Sequence, residues 1–141
     1  MAGYGSEDFA RDANVSRETC ERLELYAELL KQWNPRINLV SRDSLRDLWR
    51  RHFVDSAQLH EMIPDYDGAL VDLGSGAGFP GLVLAIMGLA NVHLIEANLR
   101  KCTFLREVAR RTDSMVTVHN IRLGDEADPG QKLPKAEIIT A

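Results

Sequence analysis

Apolar residues recur along this chain first at helical spacing and then in short unbroken runs, and the change from one to the other divides it. Leu23, Tyr26, Ala27, Leu30 and Trp33 follow the i, i+3, i+4, i+7 rule of a buried helix face. Ser16 stands where a side-chain oxygen can cap that helix, and the proline of Asn34-Pro35 disfavours helix at the residue before it. Upstream, Met1 to Asn14 is polar, contains glycine and shows no period, which predicts a frayed start. Downstream, Arg36 to Val40 reads as a connector carrying Ile37, Leu39 and Val40. Ser41 or Asp43 can then cap a second helix with Leu45, Leu48, Trp49, Phe53, Ala57 and Leu59 on its apolar side.

The turn residues of Pro64 to Gly68 mark the junction between this helical lobe, residues 1–64, and an α/β unit, residues 65–141, within one domain. Ala69 to Leu73 is a short apolar run bounded by glycines, the pattern of a strand buried on both faces. From Leu82 onward, Val83, Leu84, Ile86, Met87 and Leu89 predict a helix, with Pro80 tolerated near its start. Asn91 to Ile95 is the next strand, ending at Glu96. Asn98 to Arg111 is the second crossover helix, with Leu99, Cys102, Leu105, Val108 and Ala109 turned inward. Met115 to Val118 is a third strand and Glu137 to Thr140 a fourth, with Pro129-Gly130 and Leu133-Pro134 keeping the stretch between them irregular. Strands alternating with helices predict an α/β fold: a Rossmann-like parallel sheet with a helical N-terminal extension.

A chain of 141 residues suffices for a core of its own, and 45% hydrophobic with 27% charged residues is ordinary for a globular protein. Cys20 and Cys102 lie far apart with no Cys/His grouping, which speaks against zinc and against a secreted disulfide scaffold, and predicts reduced thiols in a cytoplasmic protein. The first residues lack a signal-peptide core, and the most apolar run, Leu82 to Ala90, is far short of a membrane span. The net charge of −4 does not suggest nucleic acid, but its distribution is uneven. Arg36, Arg42, Arg46, Arg50 and Arg51 face only Asp43 and Asp47. Arg100, Lys101, Arg106, Arg110 and Arg111 face Glu107 alone. Such runs are either solvated helix faces or a basic rim for a phosphate backbone.

The candidate chemistry lies at the bend after the first strand. Gly76, Gly78 and Gly81 spell G-x-G-x-x-G, where missing side chains permit positive φ and let a ligand approach the backbone. Glu96 ends the following strand roughly 20 residues beyond Gly74, the place of an acid that binds a ribose diol. Asp72 at the tip of the first strand would repel a pyrophosphate and suit a sulfonium, which favours S-adenosylmethionine over NAD. The plain alternative is a glycine turn that serves only close packing of strand and helix. On the second helix, His52, Asp55 and Ser56 share a face at i, i+3 and i+4. A hydrolase triad needs the histidine between the other two in a hydrogen-bonded chain, so this cluster reads instead as satisfied polar groups or as the lining of a pocket.

With these residues in view, the chain resembles the bacterial small-subunit ribosomal RNA guanine-7 methyltransferases of the glucose-inhibited-division B type. The resemblance rests on Leu29-Leu30-Lys31-Gln32-Trp33-Asn34 leading to Ile37-Asn38-Leu39, on Arg51-His52-Phe53-Val54-Asp55-Ser56, on Val71 to Gly81, and on Arg122. It implies S-adenosylmethionine as methyl donor, a guanine of small-subunit ribosomal RNA or of a ribosomal particle as acceptor, and no metal. It also implies a cytoplasmic enzyme without membrane contact that is a monomer when full length. Gly74, Gly76 and Phe79 would then lie against the donor, Glu96 would hold its ribose, and the backbone at Leu123 and Gly124 would frame the adenine, although many relatives carry an acid at the position of Gly124. His52 and Arg122, with Arg51, match positions near the acceptor. Family members continue beyond a fourth strand, so the resemblance implies a chain truncated there. The rivals are a NAD-type oxidoreductase and a catalytically inactive RNA-binding fragment.

Overall fold

The computed structural model describes residues 3–122 and 133–141. Helices α1 (Ser6–Ala13), α2 (Arg17–Trp33) and α3 (Arg42–Arg46), a wide π turn at Trp49–Val54 and α4 (Asp55–Met62) precede the sheet. Then follow β1 (Ala69–Leu73), α5 (Gly81–Ile86), β2 (Val92–Glu96), α6 (Leu99–Arg111), β3 (Val116–Asn120) and β4 (Ala136–Thr140). All four strands are parallel in the order β3-β2-β1-β4, with Leu70 opposite Val92 and Ile138, and Val92 opposite Val116. The expected α/β class and parallel sheet are therefore present.

Side chains alternate across a strand, so each strand of this sheet serves two faces. Leu70, Val92 and Leu94 enter the main core with Leu82, Val83 and Leu84 of α5 and Phe104, Leu105 and Val108 of α6. Ala69, Val71 and Ile95 form a smaller cluster on the other face, with Leu73, Ile121 and Ala136 against it. Leu23, Tyr26 and Leu30 of α2 join the main core, so the N-terminal helices pack on the same side as α5 and α6. The Tyr26 hydroxyl reaches across to donate to the carbonyl of Ala77 in the glycine bend. Ser16 caps α2 by accepting from the Thr19 amide, and the helix stops before Asn34-Pro35, both as expected. Cys20 and Cys102 are free and buried, and burial pushes the Cys20 thiol up to about 11.

Four local expectations are corrected. The start of the chain is not frayed throughout: α1 forms because Phe9 is buried against Trp49 and Phe53, with ring centroids 5.5 and 6.3 Å away, while Asp8 accepts from the Gly5 amide at 2.8 Å. The second helix is not continuous. It breaks at Asp47, whose φ of −122° and ψ of 42° end α3, and resumes through the π turn that brings Trp49 and Phe53 to 4.4 Å of each other. Helix α5 stops at Ile86, short of Leu89, because Gly88 takes a φ of +110°. Leu99, expected inward, is 62% exposed as the first residue of α6, before the helix turns its apolar face to the core.

Candidate functional site

The bend after β1 is built from two kinds of glycine. Gly74, at φ +68°, and Gly76, at φ +54°, have open space where a Cβ would stand; the nearest atom to either position is the Gly74 carbonyl oxygen, 3.9 Å from that of Gly76. Gly78 and Gly81 are glycines for packing. A Cβ on Gly78 would collide with the Tyr26 hydroxyl, and one on Gly81 would meet Leu94 Cδ2 at 2.5 Å and Asp72 Oδ2 at 2.7 Å. The motif's three glycines thus divide between the two readings: Gly76 leaves its backbone approachable, while Gly78 and Gly81 let α5 close onto the sheet.

Glu96 is half-buried at the end of β2 and turns toward this bend. Its Oε1 accepts from the Gly76 amide at 2.9 Å and its Oε2 from the Asn98 amide at 2.8 Å. A carboxylate offers about four lone-pair sites, so both oxygens retain accepting capacity. The surroundings fix it from several sides. The Ser75 amide donates to the Ile95 carbonyl at 3.0 Å, and Asn120 Nδ2 donates to the carbonyls of Glu96 and Ala97 at 3.1 and 2.9 Å. Asn98 also caps α6 by accepting from the Lys101 amide at 3.1 Å.

Asp72 does not stand at an open strand tip. It is fully buried beneath the start of α5, with Oδ1 accepting from the Thr140 hydroxyl at 2.8 Å and Oδ2 without a hydrogen-bond partner among the described residues. Burial raises its pKa, opposed by Thr140, Ser75 and the nearby Gly81 backbone. Its charge therefore cannot act by direct contact with a ligand on the bend.

Beyond the bend, Phe79 stacks with two rings. Tyr26 lies nearly parallel to it at 5.4 Å and 9°, and His52 at 4.6 Å and 18°. His52 lines a cavity of about 240 Å³ with Arg51, Asp55, Ser56, Leu59, Phe79, Pro80 and Ala141. Burial lowers the imidazole pKa, with Asp55 opposing the effect and Arg51 adding to it. Its Nε2 has no hydrogen-bond partner among the described residues. Of the two roles left open for the His52, Asp55 and Ser56 face, lining a pocket is the one the fold adopts.

Comparison with known proteins bears on what this arrangement belongs to. Residues 19–141 match the family profile of GidB, described as rRNA small subunit methyltransferase G. The chain belongs to this family. It is 55% identical over 137 residues to the ribosomal RNA small subunit methyltransferase G of Paramagnetospirillum magneticum, covering 97% of this chain and 64% of that protein. The protein of the same name from Rhodospirillum centenum is 53% identical over 138 residues, with 98% and 62% covered. That of Rhodospirillum rubrum is 57% identical over 117 residues, with 83% and 58% covered. The chain thus spans about three-fifths of the length of these relatives.

Within this member of the family, the expected site residues fall into two groups and a remainder. Gly74, Gly76 and Glu96 converge at the ends of β1 and β2, and Phe79 joins His52 and Arg51 at the neighbouring cavity. Arg122 is exposed just beyond β3, at the opposite edge of the sheet from Ala141 beyond β4. Three strand spacings, roughly 14 Å, separate those edges, and Arg122 is not among the residues that line the His52 cavity. Leu123 and Gly124 lie outside the described residues. Sequence reasoning missed Asn98, Asn120 and Thr140, which hold the loop and the buried carboxylate. An asparagine two residues after a strand-end acid, in position to cap the next helix, was the one available signal. Among the described residues no group of His, Cys, Asp and Glu could hold a metal, and no helix is long and apolar enough to cross a membrane.

Proposed function

We propose that this chain binds S-adenosylmethionine across the Gly74–Gly76 bend and serves methylation of a guanine N7 in small-subunit ribosomal RNA, in a cytoplasmic enzyme. The observation that carries the reading is the Glu96 carboxylate held at the bend by the amides of Gly76 and Asn98. Its spare lone pairs suit a ribose diol, and the open space over Gly74 and Gly76 suits a ligand lying on bare backbone. When bound, the donor supplies an electrophilic methyl group on a sulfonium.

The residues at hand suit this chemistry because little acid-base work is required. Guanine N7 carries a lone pair and no proton, so rate enhancement comes from bringing nucleophile and methyl into line. His52, stacked on Phe79 and with its charged form disfavoured by burial, is a flat surface beside the bend that can position a base. Arg51 on the same cavity can meet a phosphate. Arg122 follows β3, which neighbours the strand ending at Glu96, and is a candidate for positioning the acceptor from that side. Leu123 and Gly124 remain the candidates for the adenine.

The deciding experiment is calorimetric titration of this chain with S-adenosylhomocysteine and with NADH, beside a methyl-incorporation assay on small-subunit ribosomal RNA and on ribosomal particles. The reading expects saturable binding of the first ligand alone. Tighter binding of NADH, or no binding of S-adenosylhomocysteine, would overturn it.

A further inference from the structure

One arginine from each of the two basic runs reaches a groove separate from the His52 cavity. Arg36, just past the end of α2, and Arg100, in the first turn of α6, line a groove of about 420 Å³ with Gln32, Trp33, Ile37 and Thr103. That volume is within the range of small-ligand sites, and among the described residues no carboxylate lines it. Among the described residues, Arg11, Arg17, Arg46, Arg110 and Arg111 each lie within 4.0 Å of an acid close by in sequence, whereas Arg36 and Arg100 make no such pair. Two like charges facing one concavity without a counter-charge create a field that favours an anion. Trp33 is half-buried and set edge-on against Phe104 at 5.6 Å and 61°, which fixes its ring in the groove wall.

Guanidinium groups match phosphate oxygens in forked geometry, and an aromatic wall offers any base a stacking surface. We propose that this groove takes a single-stranded stretch of RNA, with Arg36 and Arg100 on phosphates and Trp33 against a base. The inference rests on the reading that RNA is the acceptor, and gives that RNA a second point of attachment sharing no lining residue with the His52 cavity.

The test is fluorescence anisotropy of the whole chain with a labelled oligouridylate of about 12 nucleotides, measured across a range of salt. Arg36→Ala combined with Arg100→Ala is expected to weaken binding about tenfold near 0.1 M salt and to lower the slope of log affinity against log salt by roughly 1.4, or about 0.7 for each phosphate no longer neutralised. The corresponding pair of lysine variants should keep most of the slope. Arg17→Ala combined with Arg110→Ala removes the same charge from arginines already paired on their own helices, and should leave binding within about twofold. Affinity for S-adenosylhomocysteine, measured by calorimetry, should be equal in all of them. The proposal is overturned if the unsubstituted chain does not bind the oligonucleotide, if the groove pair binds as well as it does, or if the control pair weakens binding equally. It is also overturned if the groove pair keeps the oligonucleotide but loses a ribosomal protein. Failure of the donor reading shows separately, as absent S-adenosylhomocysteine binding with the oligonucleotide still held through the groove.

Discussion

The carboxylate of Glu96 accepts from the amide of Gly76 at 2.9 Å, tying the end of β2 to the bend that follows β1 across 20 residues of chain. The same side chain is thus both the brace of the loop and the proposed ribose acceptor. Glu96→Ala should weaken S-adenosylhomocysteine binding by tenfold or more, about 1.4 kcal/mol, and speed exchange of the Gly76 amide. Calorimetry and hydrogen exchange read the two effects. Unchanged affinity would remove Glu96 from the donor site.

The glycines should separate by phenotype. Gly81→Ala places a methyl against Leu94 and Asp72 in the core, and an overpacked core typically loses about 1–3 kcal/mol in urea unfolding. Gly74→Ala meets no atom and costs only the strain of its positive φ, on the order of 1–2 kcal/mol. Its larger effect should be on donor affinity. If Gly74→Ala binds S-adenosylhomocysteine as the unsubstituted chain does, the open backbone is not the binding surface.

His52 is expected to act as a surface and not as a proton carrier. His52→Ala should lower methyl transfer while leaving donor binding intact, and His52→Phe, which keeps an aromatic ring on Phe79, should retain more of the rate. Because burial lowers the imidazole pKa, any inflection in the rate that comes from His52 should lie below the ordinary imidazole value. A loss of donor affinity equal to the loss of rate in His52→Ala would refute the assignment.

Asp72 makes stability depend on pH in a definite sense. Its folded pKa is raised by burial, so the folded chain holds this proton more tightly than the unfolded chain does. Stability from this group is fullest below the unfolded carboxylate pKa and falls as pH climbs through the window up to the raised folded value. Thr140→Val removes the donor to Oδ1, raises the folded pKa further and should destabilise by about 1 kcal/mol at neutral pH. Urea unfolding across the acid range compares the two proteins. A Thr140→Val curve parallel to that of the unsubstituted chain would show that Asp72 does not govern the dependence.

Phe9→Ala tests the N-terminal helix. The ring is buried between Trp49 and Phe53, and removing a buried phenylalanine typically costs about 3–5 kcal/mol. Part of that should appear as local release of α1, visible as faster exchange of its amides while β1 and β2 stay protected.

That helix marks the limit of what pattern alone discloses. Helices α2 and α6 were legible because long apolar periods survive any context, and the strands because β-forming runs end at glycine or at polar caps. Helix α1 has one buried anchor in eight residues, too few to show a period, and forms because rings about 40 residues away receive it. The π turn depends on those same rings and leaves no mark on residue spacing. At the site, Glu96 and the bend were legible because their spacing follows from a strand-helix-strand unit. The division of labour among Gly74, Gly76, Gly78 and Gly81 was not, since it depends on which atoms lie opposite each one. The place of Arg122 outside the His52 cavity was hidden for a related reason: only the pairing of β4 beside β1 brings Ala141 to that cavity and leaves the end of β3 at the other edge.

Because the bend mixes glycines wedged under Tyr26 and Leu94 with glycines facing outward, inactivating alleles a few codons apart should fall into unlike classes. Changes at Gly78 or Gly81 would leave cells short of the polypeptide. Changes at Gly74 or Gly76 would leave it abundant and idle, so an immunoblot would sort the alleles before any assay of modification.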